Sequence, residues 1–113
     1  MHELALTESL VQLIETESRG RGFSRVRVVR LELGALGGVD GEAMRFCFEA
    51  VAKGTLVEGA ELDILVTPGE GWCLDCAKTV EMYDRFGACP DCGGYHVQVA
   101  AGDDLRLKEL EVE

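Results

Sequence analysis

Between Glu3 and about Ser18, apolar residues recur at helical spacing: Leu6, Leu10, Leu13 and Ile14, with Leu4 and Val11 offset. That period predicts an amphipathic helix. Gly20 and Gly22 end it, and Arg19 in the last turn suits the negative end of the helix dipole. Val26, Val28, Val29, Leu31 and Leu33 then read as a strand in arginine-rich alternation. The change of side between Val28 and Val29 points to a bulge or to a strand covered on both faces. After the glycines at 34, 37 and 38, Asp40 is a good N-cap for a second helix, with Glu42 in its first turn. Its expected apolar face is Ala43, Phe46, Cys47, Ala50 and Val51, and Gly54 stops it. Leu62, Ile64 and Val66 alternate as a second strand, closed by Thr67-Pro68-Gly69. Residues 70 to about 100 show little periodicity. Leu105, Leu107, Leu110 and Val112 then return as a final strand.

This pattern predicts an α+β fold: a three-stranded sheet with two helices, plus an inserted four-cysteine, zinc-ribbon-like module. The last strand crosses back from the module to complete the sheet, whose open face carries Arg27, Glu32, Arg106 and Lys108. The domain reading is 1–69 plus 101–113 for the α+β domain and 70–100 for the cysteine module. Strand order is not deducible from the pattern.

Cys73-Leu74-Asp75-Cys76 and Cys89-Pro90-Asp91-Cys92 are two C-x2-C pairs with twelve residues between them. A two-residue spacer turns both sulfurs toward one point, and four thiolates satisfy tetrahedral Zn(II), leaving no position open for water or substrate. The site therefore reads as structural, supplying folding energy to a segment poor in apolar residues. A rubredoxin-like iron site has the same kind of spacing. Gly93 after the second pair permits a positive φ; Ala77, in the same place after the first, is less permissive. Cys47 is the odd cysteine, and between Phe46 and Phe48 it reads as a small buried hydrophobe.

Composition narrows the partners. Among 113 residues, 21 acids against 11 bases give a net charge of −10. A chain this acidic repels nucleic acid unless it hides a basic patch, and none of useful size is present. An acidic balance suits cations and basic protein surfaces. No run approaches the roughly 20 apolar residues of a membrane span, and no basic, apolar leader is visible. These features predict a cytoplasmic protein with no nucleic-acid or membrane partner, whose paired cysteines hold metal and not disulfides.

The N-terminus offers a second metal site. A histidine at position two, taken alone, is most often an exposed accident. Here, however, the Met1 amine, the deprotonated His2 amide and the His2 imidazole can close fused chelate rings on one ion, and the Glu3 amide nitrogen can fill a fourth in-plane position. Planar nitrogen donors suit Ni(II) and Cu(II) better than Zn(II), and cellular supply decides between the first two. Protons compete for these nitrogens, so acid weakens the site.

Several segments together resemble the hydrogenase maturation nickel chaperone family (HypA/HybF). They are Met1-His2-Glu3-Leu4-Ala5-Leu6 with Ser9-Leu10, Leu31-Glu32-Leu33-Gly34, Phe46-Cys47-Phe48-Glu49, Gly54-Thr55, Gly59-Ala60, Pro68-Gly69, Cys89-Pro90-Asp91-Cys92-Gly93 and Glu111-Val112-Glu113. The resemblance implies a nickel domain and a zinc module. It makes His2 the essential nickel ligand, helped by backbone donors and modulated by Glu3. It further implies delivery of nickel for [NiFe]-hydrogenase maturation, in some organisms also to urease. The partners would be a GTPase and the hydrogenase large-subunit precursor, with no enzymatic activity of the chaperone itself. Asp103-Asp104 departs from the family's usual context. Some members also place a histidine just behind the last zinc cysteine. Here His96 is displaced by about one residue, which on a strand reverses the side chain, so it reads more readily as a surface or packing histidine than as a nickel ligand.

Two other functional classes fit the sequence less well. A zinc-ribbon adaptor would need a basic stripe beside the knuckles, yet residues 77–88 offer only Lys78 and Arg85 against Glu81 and Asp84. An enzyme would need an open metal position or a nucleophile beside a base.

Overall fold

The computed structural model describes residues 2–113. Its elements are α1 (His2–Arg21), β1 (Val26–Gly34), α2 (Gly41–Ala52), β2 (Glu61–Thr67), β3 (Gly69–Cys73), β4 (Lys78–Met82), β5 (Val97–Ala101) and β6 (Leu105–Val112). They form two three-stranded sheets, ordered β2-β1-β6 and β4-β3-β5. The chain divides into two compact units. The first comprises the residues up to Leu31 with Val39–Ile64 and Leu107–Glu113; the second comprises Glu32–Gly38 and Leu65–Arg106.

In the first unit α1 packs on α2, and the buried residues come from both helices and the sheet: Leu10, Val11, Ile14, Val26, Val29, Leu31, Met44, Phe48, Ala52, Val57 and Leu62. Helix α1 runs through Gly20 and stops where Gly22 turns to φ 77°. Its buried face differs from the expected one. Leu4 and Leu13 are exposed, whereas Thr7 is fully buried. A buried hydroxyl must find a partner, and Thr7 Oγ1 donates back to the Leu4 carbonyl at 2.8 Å and the Glu3 carbonyl at 3.1 Å.

Asp40 caps α2 as expected, its Oδ1 accepting from the Glu42 amide at 2.9 Å and the Ala43 amide at 3.4 Å. The apolar face of α2, however, is rotated by one residue. Met44, Phe48 and Ala52 are buried, with Cys47 and Val51 half-buried beside them, and Phe46 is 77% exposed. The expected and observed sets share the offsets 3, 4, 7 and 8, so spacing alone could not choose between them. Met44 decides it, as the larger apolar side chain beside Ala43. Cys47 consequently lies at the margin of the core and not within it.

Strand β1 is central. Its burial changes phase between Val26 and Val29, where the pattern predicted a change of side. Arg30 ties it to both neighbours, meeting Asp63 of β2 at 3.4 Å and Glu109 of β6 at 3.0 Å, and bonding Glu111. The Glu111 hydrogen bond, with these carboxylates, holds the Arg30 guanidinium above its ordinary pKa. Arg27, Arg106 and Lys108 are exposed; Glu32 is half-buried and takes Arg106 at 3.7 Å.

The second unit contains the largest departure from the sequence pattern, because residues 69–101 hold three strands where little periodicity was visible. The reason is in the side chains. Strand β3, Gly69-Glu70-Gly71-Trp72-Cys73, turns its two glycines and its cysteine inward and Glu70 and Trp72 outward. Alternation exists, but the inward positions are small residues, so hydropathy hides it. A Cβ at Gly71 would run into Met82 Sδ. The inner face continues with Val80 and Met82 of β4, Leu36 and the cysteines Cys73 and Cys89, and Val97 and Val99 pack against this cluster. Backbone bonds stitch the Glu32–Gly38 segment to this unit, from the Ala35 amide to Thr67 at 2.9 Å and from the Leu36 amide to Gly102 at 2.9 Å.

Candidate metal centres

Two tight turns bring the thiols together. The first lies between β3 and β4, the second in the loop before β5. In each, the residue after the second cysteine folds back: the Ala77 amide donates to the Cys73 carbonyl at 2.8 Å, and the Gly93 amide to the Cys89 carbonyl at 2.9 Å. Both residues occupy the left-handed region, Ala77 at φ 54° and Gly93 at φ 75°. Backbone amides also aim at sulfur, from Cys76 to Cys73 Sγ and from Asp91 to Cys89 Sγ, each at 3.4 Å. Amides placed so stabilise thiolates and leave the lone pairs that point inward free for an ion.

The four Sγ atoms of Cys73, Cys76, Cys89 and Cys92 all lie within 4.8 Å of one another. Cys73 and Cys92 are 3.7 Å apart, Cys76 and Cys89 4.0 Å. A tetrahedral ion with bonds of ~2.3 Å needs sulfurs about 3.8 Å apart, so the donor set fits zinc in size, number and softness. Cys73 and Cys89 are buried, Cys76 is half-buried and Cys92 exposed. Hydrogen bonds from the neighbouring cysteines, Cys92 first, push the Cys76 thiol up to about 12. The Cys92 and Asp91 amides hold Cys89 down at about 7. A dication entering the cluster must displace the thiol protons. Lys78 braces the second knuckle through Asp91 at 2.6 Å, and that carboxylate raises its pKa.

His96 is exposed, and its Nδ1 lies 3.1 Å from Asp75 Oδ2. Its carbonyl accepts from the Leu74 amide at 2.9 Å. Its side chain thus meets the first knuckle's carboxylate.

In the first unit, His2 is the first residue of α1 and is exposed. Amides in a helix's first turn have no carbonyl partner one turn earlier. The amide nitrogens of His2 and Glu3 are therefore uncommitted within the helix and beside an imidazole. The Met1 amine, the other expected donor, lies outside the described residues. Glu3 is half-buried, and its Oε2 accepts from the Asp40 amide at 3.2 Å. That bond, together with the Glu3 amide, holds its carboxyl below the usual range. Sequence reasoning missed this tie between the start of α1 and the cap of α2. Asp40 was legible as a cap, but nothing in the pattern paired it with Glu3.

Two helices, two small sheets and a four-thiol cluster define a small α+β metal-binding protein. A family model described as "Hydrogenase/urease nickel incorporation, metallochaperone, hypA" matches residues 1–112. The hydrogenase maturation factor HypA of Rhodopseudomonas palustris strain TIE-1 is 59% identical over 113 residues, covering all of both chains. That of Methylocella silvestris is 58% identical over the same span. The solution structure of the Ni metallochaperone HypA from Helicobacter pylori matches with a TM-score of 0.68 at 26% identity, over 97% of this chain and 96% of that one. The chain belongs to the HypA family of metallochaperones for hydrogenase and urease nickel incorporation. The α+β class, with its helices and cysteine module, agrees with the sequence reading. Among the described residues, no helix is long and apolar enough to cross a membrane.

Proposed function

We propose that this protein carries Ni(II) at Met1, His2 and Glu3 and delivers it for [NiFe]-hydrogenase maturation, while Zn(II) on Cys73, Cys76, Cys89 and Cys92 holds the second unit together. The observation that carries the nickel assignment is the exposed His2 imidazole at the head of α1, beside amides that no helix carbonyl claims. An ion on the rim of a packed unit can lose its ligands one at a time to an acceptor. The positive end of the helix dipole opposes a bare cation there, so binding depends on losing amide protons. Residues 1–69 with 101–113 act as the nickel domain and residues 70–100 as the zinc domain. The acidic surface favours a complementary partner face, here the GTPase of nickel insertion and the hydrogenase large-subunit precursor. The protein works in the cytoplasm as a carrier, and four thiolates leave no ligand position open on the zinc for catalysis.

Calorimetric titration of untagged, zinc-loaded protein with Ni(II) tests this. One equivalent binds to the natural chain, and His2→Ala weakens binding on the order of 100-fold, at least as much as loss of a supporting group around a metal does, while zinc content stays at one. Unchanged nickel affinity in His2→Ala would sink the assignment.

A further inference from the structure

The outward face of the β4-β3-β5 sheet bears a combination that folding alone does not favour. Glu70 on central β3 is directly opposite Glu81 on β4, and like charges opposed across strands destabilise a sheet. Both are exposed, and among the described residues neither takes part in an ion pair. Lys78, the cation nearest in sequence on β4, is committed to Asp91. Two residues along β3 from Glu70, on the same face, stands Trp72, 42% exposed and flanked by the uncharged pair Thr79 and Gln98. The opposite face is filled by Val80, Met82 and the cysteines, so this row is the sheet's open side.

We infer that this face docks a protein partner through an arginine side chain, its guanidinium seated between the Glu70 and Glu81 carboxylates and its stem and plane laid on the Trp72 indole. A residue two places along a strand lies about 7 Å away, within the span of one arginine. Guanidinium meets carboxylates in a planar fork and stacks on aromatic rings, which the ammonium of lysine does less well. Nucleic acid and anionic lipid are repelled by the same two charges. The inference stands apart from the nickel assignment, because none of its residues belongs to either metal centre.

The chain's only tryptophan is Trp72, so its fluorescence reports on this face directly. Zinc-loaded full-length protein is titrated with a capped tri-arginine peptide. A matched peptide with citrulline, which keeps the shape and loses the charge, and Mg2+ alone serve as comparisons. The expected result is a saturable change with the arginine peptide that weakens as salt rises from about 0.1 M to about 1 M. Glu70→Gln/Glu81→Gln weakens it about tenfold, as loss of two modest ion pairs does. Amide shifts at Thr79 and Gln98 localise the contact, and the double variant, relieved of repulsion, keeps its zinc and its fold. Absence of a saturable response, equal binding of the citrulline peptide, an unchanged double variant, or the same response to Mg2+ alone overturns the proposal.

Discussion

The four thiols of the second unit converge from two turns, two of them buried and each turn braced by its own amides, whereas His2 stands exposed on the first turn of α1. The first arrangement uses every ligand position of its ion and shelters half of its donors. The second offers a few donors on the outside of a unit whose core is complete without them. On the proposed assignments the contrast is between an ion that makes a fold and an ion that a fold merely carries, and four experiments can break or sharpen it.

The largest effect comes from removing the ion of the first kind. Stripping zinc with a chelator withdraws binding energy of the order of 10–16 kcal/mol, as for structural zinc elsewhere, and Cys73→Ser, which leaves three thiols, withdraws part of it. Hydrogen exchange then shows β3, β4 and β5 losing protection while α1 and α2 keep theirs. Protected β3 amides in the zinc-free protein would end the distinction between the two centres.

The helix unit should instead respond to its apolar core. Phe48→Ala costs about 3–5 kcal/mol in urea unfolding, whereas Phe46→Ala, at a side chain 77% exposed, changes stability by less than about 0.5 kcal/mol. Equal losses would return the apolar face of α2 to the set read from the sequence.

A smaller effect separates the two knuckles. Ala77 sits at φ 54°, where Gly93 sits at φ 75° in its counterpart. A left-handed residue with a Cβ costs roughly 1–2 kcal/mol, partly offset by glycine's greater freedom in the unfolded chain. Ala77→Gly therefore stabilises the zinc-loaded module by about 0.5–1 kcal/mol, read from its thermal midpoint, and Gly93→Ala destabilises it.

The smallest effect lies at the tie between Glu3 and the Asp40 amide. Because that bond lowers the Glu3 pKa in the folded protein, its stabilising contribution is fully present above the unfolded carboxyl value. It is lost as pH falls through the folded one. In metal-free protein the Asp40 amide resonance should follow Glu3 in an acid titration, and Glu3→Gln should remove that component of its movement. An Asp40 amide indifferent to the substitution would show the tie to be unpopulated in solution.

How much of this could be read beforehand follows the same contrast. The cysteine spacing was sufficient to pair two turns, because C-x2-C geometry is local and needs no knowledge of the rest of the fold. Both helices, the Asp40 cap and the three strands of the first sheet were legible from period and capping chemistry. What escaped was decided by tertiary packing. Thr7 is buried because its hydroxyl can bond back to its own helix, a freedom that hydropathy does not record. The turn of α2 by one residue depended on whether Met44 or Phe46 faced the core. Strand β3 stayed hidden because Gly69, Gly71 and Cys73 occupy the positions where aliphatic residues would have announced it. At the candidate nickel site His2 was legible, whereas the Glu3–Asp40 bond joins residues far apart in the chain that no short motif links.

The placement of β6 beside β1 bears on how the molecule is made. A nascent chain emerges from its N-terminal side, so β1 appears early, but the neighbour on its far edge follows only after the whole cysteine module has left the ribosome. The carboxylates of Glu109 and Glu111 that close on Arg30 arrive with it. Until then the first sheet has an open flank. The first sheet is therefore closed only by residues made after both cysteine turns.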